Sequence, residues 1–130
     1  MLNNRLLLAC KCVAMASNGV GTRQCFRVGA ILFHRKHILQ AKHNSYKTHP
    51  ALKRFYKYPY VHAEAACILA HGLDNCRGLD LLVMRVDKKN TVTMAKPCDS
   101  CSDLIKFVGI NKVWYSDWEG NIVVRARSGS

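Results

Sequence analysis

Two short segments hold the residues best able to do chemistry. The first is Val61-His62-Ala63-Glu64-Ala65 and the second is Lys96-Pro97-Cys98-Asp99-Ser100-Cys101, with Glu64 and Cys98 34 positions apart. Cys98 and Cys101 stand at i and i+3, so on a helix they share one face of one turn. Two thiolates placed there can share a cation, and the ring of His62 can supply a third ligand. One imidazole and two thiolates suit zinc, and three protein ligands leave a fourth tetrahedral position for water. The expected complement is one zinc ion per chain. The two thiolates balance its charge, and helix N-termini favour ionised thiols. Pro97 fits the start of a helix, where its missing N–H is not needed.

Glu64 is the first acid in the chain and follows His62 by two positions, in the first turn of an expected helix. A carboxylate there can reach water on the metal without being a ligand. Zinc lowers the pKa of such a water towards neutrality, and a neighbouring carboxylate can take its proton and hand it to a leaving group. Plainer readings exist. A Cys-x-x-Cys pair also serves as a redox couple or as half of a structural zinc site. An acid in a first helical turn can simply complement the helix dipole.

The elements that must position these residues are legible from periodicity. Leu2, Leu6, Ala9, Cys10, Val13 and Ala16 fall near helical spacing, and Ser17-Asn18-Gly19 ends that helix. Residues 26–33 read as a buried strand, His34-Arg35-Lys36-His37 as a turn and residues 38–43 as the returning strand of a hairpin. Gly29 inside a strand implies a close approach to the backbone. Residues 63–71 and 98–108 read as helices stopped by Gly72 and Gly109. Residues 79–86 and 112–116 read as strands, with 122–124 as one more. Helices alternating with strands imply an α/β fold, a sheet covered by helices. One domain over residues 1–127 with a tail at 128–130 accounts for the length of 130.

Charge is unevenly placed. The net charge is +12, and residues 1–63 carry 11 Lys or Arg and no Asp or Glu. A one-signed field attracts phosphate-bearing partners. Residues 44–61 interleave Tyr46, Phe55, Tyr56, Tyr58 and Tyr60 with Lys47, Lys53, Arg54 and Lys57, a mixture able to stack a base and hold phosphate. Seven cysteines without a recognisable secretory signal argue against a disulfide framework, and point to a cytoplasm, the host's if the chain is phage-encoded. No apolar run reaches the roughly 18 residues of a membrane span. Cys10, Cys12, Cys25, Cys67 and Cys76 read as thiols outside the metal site. His34, His37, His43, His49 and His71 read as surface or satisfied residues, and Trp114 and Trp118 as core or interface residues.

His-x-Glu followed by Pro-Cys-x-x-Cys is the signature of the zinc nucleobase deaminases. The chain resembles the cytidine/deoxycytidylate deaminase superfamily, and its deoxycytidylate and tRNA-adenosine deaminase branches more than the free-cytidine enzymes. Arg27-Val28-Gly29-Ala30-Ile31-Leu32 is similar to the family's Val-Gly-Ala strand, and Leu104-Ile105 through Gly109-Ile110-Asn111-Lys112-Val113-Trp114-Tyr115 to its last helix-to-strand segment. Thr48-His49-Pro50 with Lys53-Arg54-Phe55 resembles small deaminase-like proteins of phages. Lys96 departs from the small polar or acidic residue that relatives often carry before the proline.

The resemblance implies a three-layer α/β/α fold around a central mixed sheet of about five strands. It implies hydrolytic deamination, with zinc-bound hydroxide attacking the base and Glu64 shuttling the proton. Asn44 would hold the sugar or base, and the Ala63 amide would bind a ring oxygen. Val28, Gly29 and Ala30 would form the pocket wall, with Gly29 admitting the substrate. Lys47, Arg54 and Tyr58 are the expected contacts from the basic, aromatic stretch. The expected substrate is a cytosine nucleotide, deoxycytidylate first, converted to deoxyuridylate and ammonia. The rival is cytosine or adenine in single-stranded DNA or RNA, and the bland third class is a zinc module that only binds. Relatives complete their pockets across subunits, which implies a homo-oligomer, and nothing points to a membrane partner.

Overall fold

The computed structural model describes residues 2–19, 27–45 and 62–126. Helix α1 spans Asn4–Ala16, opened by Asn3, whose Oδ1 accepts from the Leu6 amide at 2.9 Å. Strands β1 (Arg27–His34) and β2 (His37–His43) form a hairpin, and α2 (Ala63–His71) follows. Then come β3 (Asp80–Val86), the two-residue β4 (Val92–Thr93), α3 (Asp99–Val108), β5 (Lys112–Ser116) and β6 (Ile122–Ala126). The sheet runs β2-β1-β3-β5-β6, with β4 pairing the end of β3. Only β3 and β5 pair in parallel among the described strands. This is the α/β sheet that the alternation of elements implies, and it is mixed, as the resemblance implies.

Strand alternation divides the core into two layers. Ala30 and Leu32 of β1, Leu81 and Val83 of β3 and Val113 of β5 join Ile68 of α2 and Leu104, Ile105 and Val108 of α3. Their odd-even complements, Ile31, Phe33, Leu82 and Met84, join Leu6 and Cys10 of α1. The sheet therefore lies between α1 on one face and α2 with α3 on the other. Burying two faces explains why β1 and β3 read as continuous apolar runs. The helices bury narrower faces: Leu6, Cys10 and Ala14 in α1, and Cys101, Leu104, Ile105 and Val108 in α3. Ala16, expected on the apolar face of α1, is exposed.

Two details differ from the expectation. The pair β4 and the 3-10 turn Leu73–Asn75 have no periodic signal because each is too short to carry one. Pro97 stands one residue before the cap of α3, where it keeps Lys96 out of the helical region. Trp114 is partly buried against the α1-side cluster, as expected of a core residue, and Trp118, 67% exposed, is not in the core, which leaves the interface alternative.

Gly29 makes the close approach its position implies, but the approaching group is α1. A Cβ at Gly29 would lie 2.4 Å from the Ala14 nitrogen and 2.9 Å from the Cys10 carbonyl oxygen. The space left by its missing side chain is filled by helix backbone, so it does not admit a substrate. Gly29→Ala should therefore force α1 off the sheet and cost about 2–3 kcal/mol. Chemical denaturation checks this, and an unchanged midpoint would contradict it.

Candidate active site

Both metal-ligand segments sit where an extended stretch turns into a helix. His62 is the cap residue of α2, extended at φ −72° and ψ 151°, and Cys98 is the cap of α3 at φ −68° and ψ 171°. Their carbonyls accept the first helical bonds, from Ala66 at 2.9 Å and Ser102 at 2.8 Å. A cap side chain usually turns back on its own first-turn amides. Neither of these does. They turn towards each other: His62 Nδ1 lies 3.6 Å from Cys98 Sγ and 3.3 Å from Cys101 Sγ. All three ligand atoms fall within 4.8 Å of one another, the one such cluster among the described residues. Tetrahedral zinc with ordinary Zn–N and Zn–S bonds would set nitrogen and sulfur about 3.5 Å apart. The donor set and its spacing fit one zinc ion.

The electrostatics fit as well. In the metal-free protein the Cys98 thiol is pulled down to about 4, first by its hydrogen bond with Cys101, against the opposing effect of burial, and further by His62. Burial works against a charged His62 ring, but hydrogen bonding to Cys98 and the nearby Glu64 and Cys98 charges raise its pKa overall. Glu64, in the first turn of α2, is 4% exposed. Burial pushes its carboxyl up, although His62, its own backbone amide and Cys101 pull the other way.

Topology places the cluster at one end of the sheet. Helix α2 follows the C-terminal end of β2, and α3 follows β4, which pairs with Arg85 and Val86 at the C-terminal end of β3. The Ala95 amide donates to the Ser116 carbonyl at 2.9 Å and Ser116 Oγ donates to the Thr93 carbonyl at 2.6 Å. These bonds bring the segment before Cys98 over the C-terminal end of β5. The site thus lies beyond the carboxyl ends of the two parallel strands, where α/β sheets leave a crevice for ligands.

The same end holds other expected contacts. Ala63 is the first residue of α2, and helix geometry leaves its N–H without an intrahelical carbonyl. Val28 and Ala30 belong to the α2–α3 side of β1, whereas Gly29 belongs to the α1 side. Asn44, 5% exposed, follows β2 and pairs with Val28, its N–H donating to the Val28 carbonyl at 3.1 Å. Lys47, Arg54, Tyr58, His49 and Cys25 lie outside the described residues. His34, His37 and His43 are exposed. Sequence reasoning takes Ser17 only as a helix end, yet Ser17 Oγ donates to Asn44 Oδ1 at 2.6 Å. No periodicity could have announced that bond, which joins residues 27 positions apart.

The cytidine and deoxycytidylate deaminase zinc-binding region matches residues 3–117, and the chain belongs to that family of zinc deaminases. Two solved structures share the fold, both of dCMP deaminase from the cyanophage S-TIM5. The apo form is 22% identical with a TM-score of 0.61, over 87% of this chain and 80% of that one. The form in complex with dCMP and dUMP is 22% identical with a TM-score of 0.59, over 90% of this chain and 85% of that one. No curated protein matches the chain in sequence. Among the described residues no helix is long and apolar enough to cross a membrane.

The contrast among thiols is open to test. Cys98 is exposed and acidified, whereas burial pushes the Cys67 thiol up to about 12 and raises that of Cys10 further. At about pH 6 an alkylating reagent should modify Cys98 in metal-stripped protein and spare Cys10 and Cys67. Reloading zinc should protect Cys98. Peptide mass spectrometry reads the order, and Cys67 reacting ahead of Cys98 would contradict this account.

Proposed function

We propose that the chain catalyses hydrolytic deamination of a cytosine nucleotide, deoxycytidylate to deoxyuridylate and ammonia. The observation that carries this reading is the buried Glu64 carboxyl beside the His62, Cys98 and Cys101 cluster at the carboxyl ends of β3 and β5. His62, Cys98 and Cys101 would hold the zinc, which when bound acts as a Lewis acid and makes water a nucleophile near neutral pH. Glu64 takes a proton from the attacking water on a carboxylate oxygen as the new C–O bond forms at the ring carbon bearing the amine. It delivers that proton to the neighbouring ring nitrogen, then takes the second water proton from the new hydroxyl and passes it to the amine nitrogen. The C–N bond breaks, ammonia departs and a ring carbonyl remains. Burial of Glu64 favours holding the proton between these steps.

The Ala63 N–H donates to a ring oxygen, Asn44 holds the sugar or base, and Val28 and Ala30 wall the pocket. Lys47 and Arg54 neutralise phosphate and Tyr58 stacks on the base. The cyanophage protein with dCMP and dUMP bound supports deoxycytidylate as the first substrate to try. Residues 1–127 act as one catalytic unit that assembles as a homo-oligomer.

Glu64→Ala should lower kcat on deoxycytidylate by about 10³-fold, within the span of general acid–base catalysis. It should retain zinc, whereas His62→Ala should lose it. Ammonia release and metal analysis check both, and a zinc-loaded wild type inert towards every cytosine nucleoside and nucleotide would refute the reading.

A second reading, action on single-stranded nucleic acid, is favoured by the 11 Lys or Arg and no acid among residues 1–63. It requires affinity for single strands that falls steeply with salt. A gel-shift titration showing no binding at low salt would remove it.

A further inference from the structure

The bonds around Asn44 fix which of its atoms faces a ligand. Asn44 Oδ1 accepts from the Val28 amide at 3.1 Å and from Ser17 Oγ at 2.6 Å. A backbone N–H can only donate, so the amide atom facing Val28 is the oxygen, and the flip of this amide is settled by chemistry. The Ser17 hydroxyl is committed in the same sense. Its Oγ accepts from the Gly19 amide at 3.0 Å, and its proton goes to Asn44. Both residues are buried, at 4% for Ser17 and 5% for Asn44. Ser17 is itself held at the end of α1: its N–H donates to the Ala14 carbonyl at 3.1 Å, and its carbonyl accepts from Arg27 Nε at 3.1 Å.

Two donors on Oδ1 use the acceptor side of the amide and turn its NH2 the other way. Asn44 stands at the same end of the sheet as the His62, Cys98 and Cys101 cluster, opposite Val28 in register. We infer that Ser17 is a positioning residue. With the Val28 amide, it holds Asn44 so that the side chain meets the nucleotide as a hydrogen-bond donor only. The ligand atom at Asn44 is then an acceptor, a hydroxyl, carbonyl or phosphate oxygen. This rests on Asn44 being a substrate contact, as in the function proposed above.

The test compares zinc-loaded wild type, Ser17→Ala and Asn44→Asp. Readouts are dUMP binding by calorimetry, dCMP turnover, zinc content and melting temperature. Asn44→Asp keeps an oxygen for both Ser17 and Val28 but removes the N–H donors. It should weaken dUMP binding by at least about tenfold while zinc content holds. Ser17→Ala should raise KM by about tenfold and leave kcat within about twofold, the signature of lost orientation and not of lost chemistry. An Asn44→Asp protein that binds dUMP as the wild type does would overturn the donor assignment. A Ser17→Ala protein with a lowered melting temperature but unchanged KM would make Ser17 a structural residue only.

A third arm needs no variant and holds even if both variants fail to fold. In wild type, the Asn44 side-chain NH2 resonances should shift when dUMP is added. Their staying in place while dUMP binds would overturn the inference and leave the function standing. A wild type that neither binds dUMP nor deaminates dCMP would overturn both.

Discussion

Two helix N-termini held face to face are the constraint on which the rest depends. A helix start carries unsatisfied N–H groups and a partial positive charge. Two such ends brought together repel unless something negative sits between them. Here that is the pair of sulfurs at Cys98 and Cys101. The arrangement is reciprocal. The helix starts favour the Cys98 thiolate, and that anion in turn helps the helices to meet. A divalent cation completes the balance, so zinc affinity and docking of α2 against α3 are one free energy.

That meeting is prepared by the sheet. The parallel pairing of β3 and β5 sends both strands to the same end, and short bonds from Ala95 and Ser116 carry the chain over it to Cys98. On the opposite face α1 contributes through its C-terminus. Arg27 gathers that end, donating to the Met15 carbonyl at 2.6 Å and the Ser17 carbonyl at 3.1 Å, and reaches Asn90 Oδ1 at 2.9 Å and the Asp87 carbonyl at 3.0 Å beyond β3. One guanidinium thus ties α1 to the β3–β4 turn. All three layers converge on the end of the sheet that carries the cluster.

Much of this was legible because it is periodic or chemically peculiar. The runs at β1 and β3 show as strands because both faces are buried, and α3 shows because Cys101, Leu104, Ile105 and Val108 repeat at helical spacing. His62, Glu64, Cys98 and Cys101 show because their residue types are matched to a single ion. The rest is tertiary and aperiodic. Ser17 and Asn44 are ordinary loop residues until the fold makes them neighbours. Gly29 announced a close approach correctly, but a sequence cannot say which side of a strand is approached. Register decides that: Gly29 shares its face with Ile31 and Phe33, which meet α1, and not with Ala30 and Leu32, which meet α2.

The cysteines make the same point about context. Cys10 and Cys67 donate to strand carbonyls, Cys10 to Gly29 at 3.4 Å and Leu82 at 3.5 Å, Cys67 to Ala30 at 3.2 Å. Burial favours the neutral thiol at both, and each is a weak donor pinning a helix to β1. Cys98 meets the Cys101 thiol and the His62 ring, whose hydrogen bonds favour its thiolate over the opposing effect of burial. The side chains are chemically identical, and the balance between burial and hydrogen bonding to the sulfur separates packing from metal binding. That balance follows from whether the cysteine lies along a helix facing a strand or at the helix's first turn. Element boundaries in the sequence therefore predict the chemistry of a thiol better than the number of thiols does.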